Sequence, residues 1–276
     1  TPHSSPQIET TESASLKSHG EPFEPVEVFA TPARESGQSA VLELRAEPLD
    51  VVRMAIIGVG MRGQSAVRRF TFIDGAEVVA IADVVPEKVK RANEILVDGG
   101  RTKADVYTGE RDWKKICERD DIDLIYVNTQ WDLHTPIAVY AMEQGKHVAV
   151  EVPAALTLED CWKLVDTAER TRKHCMMLEN CNYDFFEMAT LNMTQQRVLG
   201  EIVHAEGAYI HDLRSLLFDE NGYCEMWRLK FLSKYDGNPY PTHGLGPIAH
   251  AMNIHRGDKM NHLVSLSSDP FGLKAY

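Results

Sequence analysis

Residues 51–67, VVRMAIIGVGMRGQSAV, decide how the chain is to be read. An apolar run reaches Gly58, then Gly60 and Gly63 complete the spacing G-x-G-x-x-G, and RGQSAVRRFTFI follows with helical character. A second apolar run, AEVVAIADV (76–84), brings Asp83 to its end, 83 − 63 = 20 residues beyond the last glycine. Strand, glycine turn, helix, strand and acid at that distance make the pattern of a dinucleotide-binding βαβ unit. The glycine spacing alone would be a weak signal, and its agreement with the other features makes it a strong one.

Gly58 permits the tight turn, Gly60 lets a pyrophosphate approach the backbone, and Gly63 lets helix and strand pack closely. The helix N-terminus then faces the phosphates with unpaired N–H groups. Asp83 is suited to accept from the adenosine ribose hydroxyls, and its charge would repel a 2′-phosphate. NAD is therefore expected rather than NADP, with Arg62 as the residue able to offset that preference. The bland alternative is a glycine-rich turn without a ligand, with Asp83 an ordinary helix cap.

Working outward, PEKVKRANEIL (from Pro86) reads as a helix with proline in its first turn. DDIDLIYVNT (120–129) reads as a strand, and TPIAVYAMEQG (135–145) as a helix with Thr135 at the N-cap and Pro136 behind it. HVAVEVPAAL (147–156) is another buried strand. Thr157 and Asp160 then open a helix with Cys161, Leu164, Val165 and Ala168 on one apolar face. Alternating strands and helices predict an α/β fold, a Rossmann-type doubly wound parallel sheet. Beyond Met177 the rhythm changes, and EIVHAEGAYIHDL (201–213) alternates like an antiparallel strand. The expected organisation is an N-terminal arm over 1–50, an NAD-binding domain over 51–176 and a substrate-binding α+β domain over 177–276. That last domain is expected to be incomplete. Residues 1–22 are polar enough to predict disorder, while VEVFA (26–30) and AVLELRAEP (40–48) suit short strands or an arm packed on the body.

A net charge of −12 argues against nucleic acid and anionic membranes as partners and leaves a small molecule or glycan by exclusion. No apolar run approaches a membrane span. The five cysteines contain no C-x-x-C pair, which predicts mostly buried free thiols rather than disulfides or a zinc knuckle. His243 and His250 could share a helix face, but no carboxylate joins them at ligand spacing, so no metal is expected. Tyr183, Phe185 and Phe186 read mainly as core, with the Tyr183 hydroxyl able to turn outward.

The strand ends supply candidate site residues, since ligands gather at the carboxyl edge of such a sheet. NTQWDLHTP places Asn128 to His134 there, and Glu151 with Val152 lies on the next edge. Loop packing for Trp131 and a cap for Asp132 are the bland readings. A carboxylate beside an inert valine, with no adjacent acid or base, poses a chemical question.

These residues resemble the Gfo/Idh/MocA oxidoreductases, whose members usually carry Glu-Lys-Pro where this chain has Glu151-Val152-Pro153. A closer resemblance is to glycoside hydrolase family 109. It is carried by MRG (61–63), WDLH (131–134), EVP (151–153), MLENCNYDFFE (177–187), GEIVHAEGAYIHDLR (200–214) and YPTHGLGPIAHAMNIHRGDKMNHLVSLSS (240–268). That family's type activity is an NAD-dependent α-N-acetylgalactosaminidase, and a valine after the glutamate is what the subfamily shows. The resemblance implies that Met61, Arg62, Asp83, Trp131, Asp132, Leu133, His134, Glu151, Val152, Asn180 and Tyr240 contact NAD. It implies that Tyr209, Arg228, Tyr240, Pro241, Thr242 and His243 contact the sugar. It also implies members longer than this chain, a further substrate-binding tyrosine, and an export signal, which suits a chain opening at Thr1. Periplasmic or cell-surface localisation is thus expected, and a homo-oligomer is compatible.

The implied reaction is an oxidation–elimination–addition–reduction sequence centred on sugar C3, with no net change of the cofactor. His243 is the expected acid–base group, with Tyr240 and Tyr183 as further catalytic candidates. Two rival readings remain open: an NAD-dependent sugar or cyclitol dehydrogenase, and a non-catalytic NAD- or carbohydrate-binding protein.

Overall fold

The computed structural model describes residues 32–220, 223–235, 237–269 and 271, so the expectations for 1–22 and for VEVFA lie outside the described residues. The sheet and the helices of the described residues belong to the compact unit Arg34–Tyr276. Six strands run parallel in the order β3-β2-β1-β4-β5-β6: β1 (Val52–Ile57), β2 (Ala76–Ala82), β3 (Asp105–Tyr107), β4 (Leu124–Val127), β5 (His147–Val150) and β6 (Cys175–Met177). The expected doubly wound sheet is present. The chain moves outward from β1 through β2 to β3, then returns to β1's other side for β4. The carboxyl ends of β1 and β4 therefore flank the switch point, where such sheets open a crevice.

Strand periodicity divides the core. Met54 and Ile56 of β1 face one side with Ala66 and Val67 of α1 (Met61–Phe70) and Val89, Ala92 and Leu96 of α2 (Pro86–Asp98). Ala55 and Ile57 face the other, against α3 (Asp112–Cys117), α4 (His134–Glu143) and α5 (Leu158–Thr171). Side chains two apart along a strand share a face, so one continuous apolar run fills both layers.

Several local expectations are corrected. Thr135 is not the N-cap of α4, because a 3-10 turn at Trp131–Leu133 runs into the helix and Leu133 takes the cap position. The Thr135 hydroxyl instead donates to the Ala154 carbonyl at 3.1 Å, tying α4 to the chain after β5. Thr157 does cap α5, accepting from the Asp160 N–H at 3.1 Å. On α5 only Leu164 and Ala168 of the expected face are buried, with Cys161 and Val165 exposed. Its buried positions include Glu169, which Arg34 grips at 2.8 and 3.0 Å. Residues 34–48 form no strand. They lie as an arm on α5, held also by Arg172, which donates to the carbonyls of Ser39 and Ala40. Of the free cysteines only Cys117 is buried, where burial pushes its thiol up to about 12.

After β6 come α6 (Phe185–Gln195), α7 (Arg214–Leu217), α8 (Trp227–Leu232) and α9 (Thr242–Ala251). Residues 201–213 run without a strand assignment, because a strand needs a hydrogen-bonded neighbour and none exists among the described residues. Tyr183, Phe185 and Phe186 are exposed rather than core, since no described element covers that side of α6.

The glycine turn yields a paired stability prediction. A Cβ on Gly58, whose φ is +91°, would stand 2.3 Å from the Asn128 carbonyl oxygen, whereas one on Gly60 would meet nothing within 4 Å. Gly58→Ala is expected to cost about 3 kcal/mol or more, and Gly60→Ala about 1 kcal/mol or less, read by urea unfolding.

Candidate functional site

The carboxyl edge of the sheet gathers two connected groups of side chains. The first answers the question posed by Glu151. Its carboxylate is buried, and Oε1 accepts from the Tyr126 hydroxyl at 2.6 Å and from the Arg62 Nε at 3.0 Å. Arg62 also reaches the Asn180 Oδ1 at 3.5 Å. Glu151 is thus a clamp between β4, β5 and the first turn of α1, with its reactive oxygen occupied. Burial, followed by the charge of Glu151, drives the Tyr126 hydroxyl above its ordinary range, so it remains a donor.

The glycine turn fits a dinucleotide. The N-terminus of α1 has Gly60 as its cap residue, no side-chain cap and no acid in its first turn, so its N–H groups are not already claimed by a carboxylate. Gly60 leaves open space where a Cβ would stand, while a Cβ on Gly63 would collide with the Gly58 carbonyl at 2.3 Å. Asp83 accepts from the Val59 N–H at 2.9 Å and the Val85 N–H at 3.0 Å. Each oxygen keeps a second acceptor position for a ribose hydroxyl. The cap reading and the ribose reading therefore coexist.

The second group surrounds Val152. Trp131, Val152 and Tyr240 form a buried cluster, with Tyr209, Trp227, Phe231 and Leu232 packed against it. Trp131 meets Trp227, Phe231 and Tyr240 edge-on at 4.9–5.5 Å, an arrangement that the ring quadrupoles favour. Arg228 is buried with its guanidinium 4.8 Å from the Tyr240 ring centre and 5.1 Å from that of Trp131. One of its nitrogens donates to the Tyr223 hydroxyl at 2.6 Å, yet Nε and Nη2 are buried without partners among the described residues. A buried cation with idle donors is costly, and a ligand rich in oxygen would relieve it.

His243 opens α9 beside this cluster. Its ring lies against Tyr240, centroids 5.1 Å apart, and tilts over Tyr209 at 5.0 Å. Its Nδ1 meets the Glu179 Oε1 at 2.6 Å. Glu179 is 1% exposed and follows β6 at the same sheet edge as Glu151. A carboxylate at Nδ1 selects the tautomer protonated there and leaves Nε2 as an acceptor. Burial pushes the Tyr240 hydroxyl up to about 12, against the pull of Arg228.

Other residues sit apart from this chemistry. Both nitrogens of His134 face carbonyls, Nδ1 that of Pro153 at 2.8 Å and Nε2 that of Thr129 at 3.1 Å; burial favours the neutral ring, whose single N–H donates to one of them and pins the loop between the ends of β4 and β5. Tyr183 is exposed and meets His250 at 6.3 Å rather than lying against Tyr240. Met61 and Leu133 are exposed at the rim, as are Asp132 and Pro241, and Thr242 stands next to His243 with its hydroxyl buried beside the Glu179 carboxylate. The residues missed in the sequence are Tyr126, Glu179, Cys181 and Trp227. Tyr126 is the one polar residue in LIYV, and Glu179 ends CMMLE as Glu151 ends HVAVE, so edge position alone could have found both.

Comparison with known proteins gives this geometry a lineage. Residues 52–179 match the oxidoreductase family with an NAD-binding Rossmann fold, and residues 183–276 match the C-terminal domain of glycosyl hydrolase 109. The chain belongs to glycoside hydrolase family 109. It is 57% identical over 213 residues to the alpha-N-acetylgalactosaminidase of Bacteroides fragilis, covering 76% of this chain and 50% of that one. It is 58% identical over 214 residues to a family 109 protein of Phocaeicola vulgatus, covering 76% and 52%. The chain spans about half the length of the curated relatives it matches. Among solved structures, myo-inositol 2-dehydrogenase from Lactobacillus plantarum shares the fold at TM-score 0.60 and 20% identity, covering 74% of this chain and 57% of that one. No helix among the described residues is long and apolar enough to cross a membrane.

Removing the Glu151 clamp tests the first group. Glu151→Ala strands the Tyr126 hydroxyl and frees Arg62, which is half exposed and so loses less. A destabilisation of about 1–3 kcal/mol is expected by urea unfolding, together with weaker NAD binding by fluorescence titration.

Proposed function

We propose that the protein releases terminal α-N-acetylgalactosamine from glycosides by an NAD-dependent route with no net redox change. The observation that supports it best is the pairing of a proton-inert strand end, Val152, with a carboxylate-oriented histidine, Glu179–His243, across one aromatic nest. An ordinary sugar dehydrogenase of this fold would be expected to use a lysine at position 152. The 57% identical relative named alpha-N-acetylgalactosaminidase supports the same choice of substrate.

When bound, NAD would supply a reversible hydride acceptor next to the sugar. The rest falls to the chain's own groups. The α1 N-terminus, Arg62 and Asp83 hold the dinucleotide's phosphates and ribose. Arg228 donates to sugar oxygens through its two idle nitrogens, with Tyr209 and Thr242 beside it. His243 takes a proton at Nε2 while Glu179 holds Nδ1, and Tyr240, protonated at neutral pH, donates a hydrogen bond to the sugar. Trp131 and Tyr240 keep water from the cofactor side of the nest. We assign the dinucleotide to residues 51–176 and the sugar to 177–276. Action outside the cytoplasm is part of the proposal and is supported by family resemblance.

Nitrophenyl α-N-acetylgalactosaminide is expected to be cleaved without net accumulation of NADH. Accumulation of NADH with free sugars and no glycoside cleavage would replace this reading with the dehydrogenase. His243→Ala is expected to lower kcat by about 100-fold or more, with thermal unfolding compared to confirm that the fold is intact. Glu179→Gln, which keeps an acceptor for Nδ1 but loses the charge, is expected to lower kcat with little change in KM.

A further inference from the structure

Beneath the aromatic nest three donors of different chemistry converge. The Glu179 carboxylate, the Cys181 thiol and the His243 Nδ1 place their ligand atoms within 4.8 Å of one another. The Cys181 Sγ is 3.4 Å from Nδ1. A tetrahedral zinc with Zn–S near 2.3 Å and Zn–N near 2.0 Å spaces sulfur and nitrogen by about 3.5 Å, so this edge of the polyhedron already has its length. The Glu179 oxygen is closer, at 2.6 Å from Nδ1, and must withdraw by less than about 1 Å. Turning the carboxylate about its last bond achieves this and exchanges oxygens. Oε1 also accepts from the Cys181 N–H at 3.0 Å, so the turn hands that bond to Oε2, which is buried beside the Thr242 hydroxyl on a side chain only 1% exposed.

We propose that Glu179, Cys181 and His243 form a binding site for a thiophilic divalent cation of the zinc class, which blocks the site reversibly. The donor set excludes magnesium and calcium, which take oxygen ligands, and suits zinc, with a fourth position left for water. On binding, Cys181 releases its S–H proton to solvent as the sulfur–metal bond forms. His243 gives up its Nδ1 proton and takes one at Nε2. The metal therefore holds His243 in the tautomer opposite to the one that Glu179 selects in its absence. Blockage of turnover rests on the proposed role of His243; binding itself does not.

The test uses Co²⁺ as an optical probe and ZnCl₂ in calorimetric titrations of the NAD-loaded protein. A single bound ion per chain and a thiolate-to-cobalt charge-transfer band are expected. Cys181→Ala and Cys181→Ser should abolish the band and weaken zinc binding by at least about 100-fold, more than the loss of an outer partner costs. Circular dichroism of both variants controls for folding, and Cys161→Ala should retain the band. Absence of the band in the unaltered protein, or its survival in folded Cys181→Ala, overturns the proposal. If the ion binds through Cys181 but glycoside cleavage continues at saturating zinc, the site stands and the role given to His243 fails.

Discussion

A carboxylate removed from water must be paired, and Glu151 is paired by two donors from different parts of the fold. Tyr126 comes from β4, one of the two central strands of the sheet, and Arg62 from the first turn of the helix after the glycine loop. The clamp therefore joins the two sides of the switch point and sets how far α1 stands from β5. Gly58 and Gly63 permit the same closeness from below, since neither has room for a Cβ. The opening at Gly60 exists because its neighbours on either side are locked.

Among the described residues, the second half of the chain builds on that edge rather than on a sheet of its own. Trp131 is the hinge of the arrangement: it leaves the loop after β4 and is surrounded by residues of α8 and by Tyr240. Around it, Arg228 acquires three aromatic faces, those of Trp131, Tyr223 and Tyr240, and no carboxylate partner among the described residues. Cation–π attraction stabilises such a charge only partly. What remains is a standing demand for oxygen acceptors, which matches a polyhydroxylated ligand better than an apolar one.

Much of the first half was legible because its signals are local. The run from Val51 to Val67 shows strand, turn and helix within one window, and the doubled apolar periodicity of the strands announces helices on both faces. The edge strand β3 was not legible: three residues, mostly exposed, show no pattern. Thr135 misled because its hydroxyl found a carbonyl across the fold instead of along its own helix. Phe185 and Phe186 misled because apolar residues were assumed to have a covering partner. In the site, the positions at strand ends were readable, but the pairings were not. Glu179 and His243 are 64 residues apart, and no spacing rule links a strand end to a helix start at that separation.

The valine after Glu151 has a geometric consequence. Packed against Trp131 and Tyr240, the valine itself can neither give nor accept a hydrogen ion. The nearest groups able to do so are the Tyr240 hydroxyl in the same cluster and His243, held by Glu179, at the start of α9. A ring bound in the nest would thus be handled asymmetrically: a hydroxyl turned toward the valine stays inert, and which carbon reacts is decided by how the ring is turned.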